Sequence, residues 1–347
     1  MKKKVIMFLI SLSMIATAIP MEVYADDYEG DESEIVTQST VDYTDYFTYS
    51  LSGSNCYVAG FSEYGNLHSN EDIVIPDTAY GYTVIGIDEG AFAGKTIGSL
   101  TMPTNSNFRY IRKHAFKSCD MDVLNIPKNV TSLGTEALIY FKGTKIIFGG
   151  GIRTIPKLNM WNCSNLTDIY FGDGTVTIDD NVCGYCPVER IYIGSTVSDI
   201  GSHAFHYATS NGNGNDPLRN VTIYTDNTYA KGLTYRLSYI NPTFKSASGY
   251  VSETTVEQSI IFQKDAQQEI KFNVPLGTIK SVRASGVSLN YTYSNGKIII
   301  PSSAVAVLPN GIYDIQVAYD DQANTIITNK FTLLVTGAEN SGGGRRY

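Results

Sequence analysis

The chain has 347 residues, 43 % of them hydrophobic and 17 % charged, and a formal net charge of −8. Length and composition suit a globular protein of two domains, each large enough to bury a core, and the acidic balance argues against nucleic acid and anionic membranes as partners. Against 25 tyrosines stands a single tryptophan, Trp161, an excess that suits surfaces using both an apolar ring and a polar tip.

The opening run MKKKVIMFLISLSMIATAIPMEVYA reads as a secretory signal, with three lysines, an apolar stretch from Val5 to Ile19, the breaker Pro20 and a small residue at Ala25. Ala16-Thr17-Ala18 also fits a small-x-small pattern but would leave almost no polar region before the cut, so residues 1–25 are taken as the signal. The apolar run is shorter than the about 20 residues a span requires, so no membrane span is expected in the mature chain. The signal carries a net +2, and its removal takes the formal charge from −8 to −10. No cysteine precedes Cys56, and the ending GAENSGGGRRY shows neither a hydrophobic tail nor an LPxTG-like motif. The expected location is extracellular, secreted or at a bacterial cell surface, with the means of attachment open.

Residues 26–40, DDYEGDESEIVTQST, have the composition of an acidic disordered leader. FTYSLSGSNCYVAGF then reads as a hairpin around a Ser-Gly-Ser-Asn turn, placed to cap the amino-terminal end of a repeat array. Six segments repeat a pattern: TVIGIDEGAF, FRYIRKHAF, VTSLGTEAL, IRTIPKLNM, VTIDDNVC and VSDIGSHAF. Their anchors Ile87, Ile111, Leu133, Ile155, Ile178 and Ile200 lie 22 to 24 residues apart, the period of a solenoid. Five residues after each anchor stands Phe92, Phe116, Leu138, Met160, Cys183 or Phe205. Thirteen and fifteen after it comes an alternating apolar pair, Leu100/Met102, Leu124/Ile126, Ile146/Phe148 and Ile191/Ile193, with Ile169/Phe171 displaced by one residue and Val221/Ile223 by eight. Alternation there predicts a short strand with one face inward. One coil cannot bury that face alone, whereas stacked coils form a continuous core, and at about 4.8 Å per strand six coils make a slab of roughly 25 to 30 Å. TDNTYAKGLTYRLSYI is placed to close the last coil, whose apolar end and strand edge would otherwise be open.

VCGYCP contains two cysteines two residues apart, the spacing of a redox pair or half a zinc site. Cys183 nonetheless occupies the fifth repeat position, and Cys186, Cys163 and Cys119 each stand eight after an anchor, so packing accounts for the motif. An exported protein also permits disulfides, and stacking would bring Cys163 near Cys186, but five cysteines leave at least one unpaired.

The form of the repeat, an isoleucine followed by Gly-x-x-Ala-Phe, then Cys and a leucine-bearing strand, resembles the BspA-like class of bacterial leucine-rich repeats. It is clearest in VTSLGTEAL and VSDIGSHAFHY, whereas IIFGGGIRTIPKLNM puts Leu158-Asn159-Met160 where Ala-Phe is expected. The resemblance spans residues 43–248 and implies an exported, non-catalytic protein used for adhesion or recognition, with no catalytic residues to carry over.

Residues between the inward pairs point outward. One column runs Thr101, Asn125, Ile147, Tyr170, Tyr192, Thr222, and its neighbour Ser99, Val123, Lys145, Asp168, Arg190, Asn220. An apolar and aromatic strip, Ile147, Tyr170 and Tyr192, thus lies beside a charge ladder, Lys145, Asp168 and Arg190, the ingredients of a binding hot spot on a rigid face. Cross-strand stabilisation without any ligand is the alternative reading of the same residues, at about 0.2 to 1 kcal/mol per pair.

His114 and His203 each stand three after an anchor, four coils apart and too far to share a metal or a proton. His206 follows His203 too closely to face it, and no serine or cysteine has a nucleophile-elbow context, so no enzyme and no cofactor are expected. TSNGNGNDP offers Asn211, Asn213, Asn215 and Asp216 at alternate positions. With one carboxylate and no bidentate glutamate, it reads as an exposed loop.

Beyond residue 248 the period ends. SIIFQ, EIKFNV, IKSVRA, LNYTYS, KIIIP, GIYDIQVAY and KFTLLVT, separated by turns such as SNGK and LPNG, predict a β-sandwich. The run LNYTYSNGKIIIPSSAVAVLPNGIYDIQVAYDD resembles the immunoglobulin-like X-type module found beside catalytic and cohesin domains in cellulases and scaffoldins, although Asn290 stands where that module has aspartate. The resemblance implies a strand at Tyr291-Thr292, another over Ile298 to Ile300, a helix from Ser302 ending at Leu308, and a strand from Gly311 to Tyr319. The expected organisation is mainly β: a signal at 1–25, a leader at 26–40, a leucine-rich-repeat solenoid of about six coils at 41–248, an immunoglobulin-like sandwich at 249–336 and a Gly-rich basic tail at 337–347. The expected partner is an extracellular protein or surface ligand bound on the strand face. The alternative is a polysaccharide held by the sandwich or by exposed tyrosines.

Overall fold

The computed structural model describes residues 42–205, 220–233, 237, 240–254, 256–264, 268–274, 279–294, 296–319 and 326–337. The signal, the leader, His206, TSNGNGNDP and the tail beyond residue 337 lie outside the described residues.

The inward positions of the repeat build the solenoid core. Ile146, Phe148, Ile169, Phe171, Ile191 and Ile193 are fully buried, as are Phe92, Phe116, Leu138, Met160, Cys183 and Phe205 at the fifth position. Burying each such side chain contributes about 1.5–3 kcal/mol. Parallel strands Val123–Ile126, Lys145–Phe148, Asp168–Phe171 and Arg190–Ile193 pair in register, and the column continues through Thr222–Tyr224 to Thr243–Lys245. Asp72–Val74 pairs with Ser99–Thr101 at the other end, so the strand face extends beyond the six repeats at both ends.

The sixth repeat corrects the expected register. Ile223 pairs with Ile191 and Tyr224 with Tyr192, whereas the alternation sets Ile223 level with Ile193. The insertion is therefore two residues longer than the alternation implies, and Tyr224 and Thr222 take the outward places expected for Thr222 and Asn220.

On the opposite side, each of the first five coils turns through two left-handed residues. Gly90, His114, Glu136, Leu158 and Asn181 hold φ between 53° and 67° three after the anchor, and Gly94, Ser118, Tyr140, Asn162 and Tyr185 hold 56° to 69° seven after it. These turns direct backbone N–H groups to the next coil, as in Gly90 N to Lys113 O (3.1 Å), Phe92 N to Ala115 O (2.8 Å) and Gly94 N to Lys117 O (2.8 Å). A second inter-coil ladder thus runs along the turn side.

Both ends are tied down. Phe47–Ser52 and Asn55–Phe61 form the expected hairpin, turning at Gly53 with φ 64°, and the second of these strands pairs parallel with Tyr82–Ile87. A short helix α1, Glu63–Leu67, comes directly after the hairpin. Asp88 bolts hairpin to coils: it accepts from Ser50 Oγ at 2.6 Å and from Arg112 Nη1 at 2.8 Å. At the far end α2, Thr228–Gly232, closes the stack. Its cap residue Asn227 accepts from Tyr229 N and Ala230 N while its Nδ2 donates to the carbonyls of Gly194, Ser195 and Val197 at 3.1, 3.2 and 2.6 Å.

Beyond the stack come helix α3, Ala247–Thr254, and two further sheets. One orders Gln258–Gln263, Ile326–Thr336, Gly311–Tyr319, Ile279–Ala284 and Val287–Ser288; the other orders Ile270–Asn273, Lys297–Ile300 and Thr292–Ser294. Phe262, Phe272, Ile298, Ile315, Val317, Phe331 and Leu333 share one core between them. Gln258–Gln263 runs parallel to Ile326–Thr336, and the remaining pairings are antiparallel. Lys297–Ile300 and Gly311–Tyr319 cover the two later strands expected there, whereas the strand at Thr292–Ser294 starts one residue after Tyr291 and α4 (Ser302–Ala306) ends two residues before Leu308.

Candidate recognition face

The outward column is a run of aromatic rings set by the ladder register. Ile147, Tyr170, Tyr192 and Tyr224 lie side by side on consecutive strands, and the rings of Tyr170 and Tyr192 stack with centroids 4.1 Å apart at 18°. Beside them Lys145, Asp168 and Arg190 share one row. Arg190 grips Asp168 with two parallel bonds, Nε to Oδ1 at 2.6 Å and Nη2 to Oδ2 at 2.7 Å, the strong bidentate geometry of guanidinium and carboxylate. Thr167 Oγ1 adds a third bond to Asp168 at 2.7 Å.

The structure brings all six sequence-predicted residues together but corrects their exposure. Ile147, Asp168 and Tyr192 are buried, at 5 %, 5 % and 0 % exposed, and Tyr170 and Lys145 are half-buried. Helix α3 packs on Arg190–Ile193 and Thr222–Tyr224 and inserts Tyr250 among the rings. Its centroid lies 5.7 Å from Tyr170, 5.7 Å from Tyr192 and 5.3 Å from Tyr224, and Lys145 Nζ stands 5.1 Å over its face. Tyr192, Tyr224 and Tyr250 belong to one apolar cluster with the core of the two-sheet unit. At the other end of the column Lys297 Nζ reaches Asp72 Oδ2 at 3.1 Å. The aromatic end of the strand face is therefore covered by the chain's own carboxyl-terminal part, while Val123 in the neighbouring row stays 38 % exposed.

The cover perturbs the groups beneath it. Desolvation pushes the Lys145 ammonium down to about 8, against an upward pull from Asp168. The Asp168 bond holds Arg190 above its ordinary value, and burial pushes the Tyr250 hydroxyl up. That hydroxyl is buried without a hydrogen-bond partner among the described residues.

Sequence reasoning missed Tyr224 and Tyr250. The long insertion displaced the first from the repeat count, and the second lies outside the repeat altogether. The histidines remain apart: His114 Nε2 meets Glu136 Oε2 at 2.7 Å on the turn side, and His203 Nδ1 contacts Ser202 Oγ at 3.0 Å. Among the described residues no group of three His, Cys, Asp or Glu side chains is placed to hold a metal ion.

The cysteine motif is explained by packing on both sides. All five cysteines are free and buried, and burial pushes the Cys163 and Cys183 thiols up. Cys163 Sγ donates to Leu138 O at 3.3 Å and Cys186 Sγ to Met160 O at 3.0 Å. Within the motif Gly184 lies under the Trp161 ring, where a Cβ would come within 2.4 Å, and Tyr185 supplies the left-handed turn.

Residues 85–211 match the BspA type leucine rich repeat region, in six copies. No curated protein matches the chain. Solved structures similar to it include a leucine rich cell surface protein from Faecalibacterium prausnitzii, 22 % identical over 48 % of this chain and 36 % of that one, with a TM-score of 0.32. Others are a leucine-rich repeat protein from Bacteroides ovatus (16 % identity, 65 % and 82 % coverage, TM-score 0.18) and InlP from Listeria monocytogenes (10 % identity, 78 % and 71 % coverage, TM-score 0.21). This chain thus spans about a third of the length of the Faecalibacterium protein. Among the described residues no helix is long and apolar enough to cross a membrane.

Proposed function

We propose that this is a non-catalytic exported recognition or adhesion protein, in which the leucine-rich-repeat solenoid presents its strand face to a protein on or outside the cell. The observation that carries this reading is the in-register column Ile147, Tyr170, Tyr192 and Tyr224 beside the Asp168–Arg190 fork. Stacked coils hold these side chains at fixed spacing, so a partner that reaches the column beneath α3 meets side chains whose ordering is already complete. The face already holds a tyrosine from a helix, Tyr250, which indicates the class of ligand it takes.

The test is binding of the mature chain, residues 26–347, to arrays of extracellular matrix proteins and of plant and bacterial polysaccharides, repeated with Tyr170→Ala/Tyr192→Ala. A protein ligand lost in the double variant supports the reading. A polysaccharide ligand retained by it favours a second reading, an accessory sugar-binding protein acting through the two-sheet unit or through tyrosines that do reach solvent. Tyr64, Tyr80, Tyr110 and Tyr140 are 39 to 52 % exposed, which is the observation in favour of that alternative.

A further inference from the structure

We propose that α3 and the two-sheet unit form a displaceable cover over the tyrosine column, so that the recognition face is closed in the isolated chain and opens when a helix of the partner protein brings an aromatic side chain into the place of Tyr250. This rests on the reading of the strand face as the recognition surface, and adds to it a mode of regulation and a partner chemistry.

The cover is a poor fit in polar terms and a good one in apolar terms, which is the balance a replaceable occupant requires. The Tyr250 ring meets Tyr192 and Tyr224 edge-on, at 65° and 79°, the geometry that ring quadrupoles favour. Yet its hydroxyl is buried with no hydrogen-bond partner among the described residues, and the half-buried Lys145 ammonium, set over its ring, is partly desolvated. The stranded hydroxyl is a cost of closure that vanishes when α3 lifts. The opposite end of the cover is held by Lys297 and Asp72, whose side chains are 33 % and 57 % exposed, and exposed pairs of this kind contribute little. An incoming aromatic group that satisfies its own polar atom therefore has an advantage over Tyr250, and a ligand that binds only the open form shifts the population towards it.

The experiment uses the full mature chain as wild type, Tyr250→Ala, Tyr250→Phe and Lys297→Glu. Tetranitromethane labelling, mapped by mass spectrometry, reports access to Tyr170, Tyr192 and Tyr224. Tyr250→Ala is expected to raise labelling about five-fold or more, Lys297→Glu about two-fold, and Tyr250→Phe, which loses only the unpartnered hydroxyl, is expected to hold it at or below wild type. A synthetic peptide of residues 244–256, FKSASGYVSETTV, is then expected to bind the Tyr250→Ala chain at least about ten-fold more tightly than wild type, whose seat is filled. Circular dichroism confirms folding, and Lys297→Glu, altered at an exposed side chain, supplies the result if Tyr250→Ala fails to fold. Labelling unchanged in Tyr250→Ala, or in Lys297→Glu where the former is unfolded, overturns the proposal. A partner dependent on Tyr170 and Tyr192 together with unchanged labelling leaves the proposed function standing and removes the cover; opening without any partner does the reverse.

Discussion

The two halves of this molecule bury similar side chains by different rules. In the solenoid the inward strand residues stack on their counterparts in the next coil, mostly 22 or 23 positions away, so stability is a sum of like contacts between neighbours. In the two-sheet unit, Gln258–Gln263 pairs with Ile326–Thr336 across more than sixty residues, and the core exists only when distant strands have met. Local repetition makes the first half gradual and readable; long-range pairing makes the second cooperative. Tyr250 joins the two.

Core truncation gives the largest expected effects and the clearest test of that difference. Phe171→Ala and Phe331→Ala each remove a fully buried ring and should cost about 3–5 kcal/mol. Calorimetry should show the first lowering the solenoid transition and the second that of the two-sheet unit. A single transition shifted equally by both would show that the seat of α3 fuses the halves into one cooperative body.

Asn227→Ala is expected to cost about 2–3 kcal/mol, since it strands two helix N–H groups and removes a donor to three carbonyls. Hydrogen exchange should rise first in Arg190–Ile193 and Thr222–Tyr224, spreading inward from that end. Uniform loss of protection along the column would contradict a gradual solenoid.

Asp88 tests the other end through pH. Burial pushes its carboxyl up, but bonds from Ser50, Arg112 and the Glu89 N–H outweigh this and hold it at about 2, below its ordinary 3.8. A depressed folded-state value means that the stabilisation is complete above about 4 and is lost as pH falls through about 2. Urea midpoints of wild type should therefore fall across that window, and Asp88→Asn, lower by about 1–3 kcal/mol at neutral pH, should show a smaller decline.

Leu158→Gly is the smallest effect and has the opposite sign. Leu158 holds φ 58° and is 36 % exposed, so relieving a left-handed conformation that costs an L-residue about 1–2 kcal/mol should raise the solenoid melting temperature by a few degrees.

These contrasts explain what was legible. The anchors, the inward pairs of five coils and the row of Lys145, Asp168 and Arg190 follow from period alone, because each coil repeats the same environment. The left-handed turn positions were signalled in the first coil by Gly90 and Gly94, but His114, Glu136 and Tyr140 occupy the same places in later coils and hide the pattern. Tyr224 was lost to an insertion that broke the count. The cover was not legible, because Tyr250 meets Tyr170 across eighty positions, off the period of the repeat, and such a contact leaves no rhythm.

The grip of Asn227 on the carbonyls of Gly194, Ser195 and Val197 has a consequence for how such a chain changes length. The polar bonds of Asn227 read only the backbone of the coil directly before it, so duplicating a unit in the middle of the stack would leave both ends chemically intact. Growth is thus permitted in whole steps of about 4.8 Å. Each added step would move Tyr250 one rung away from Asp72, so the span between α3 and Lys297 acts as a ruler that ties the number of coils to the size of what lies across them.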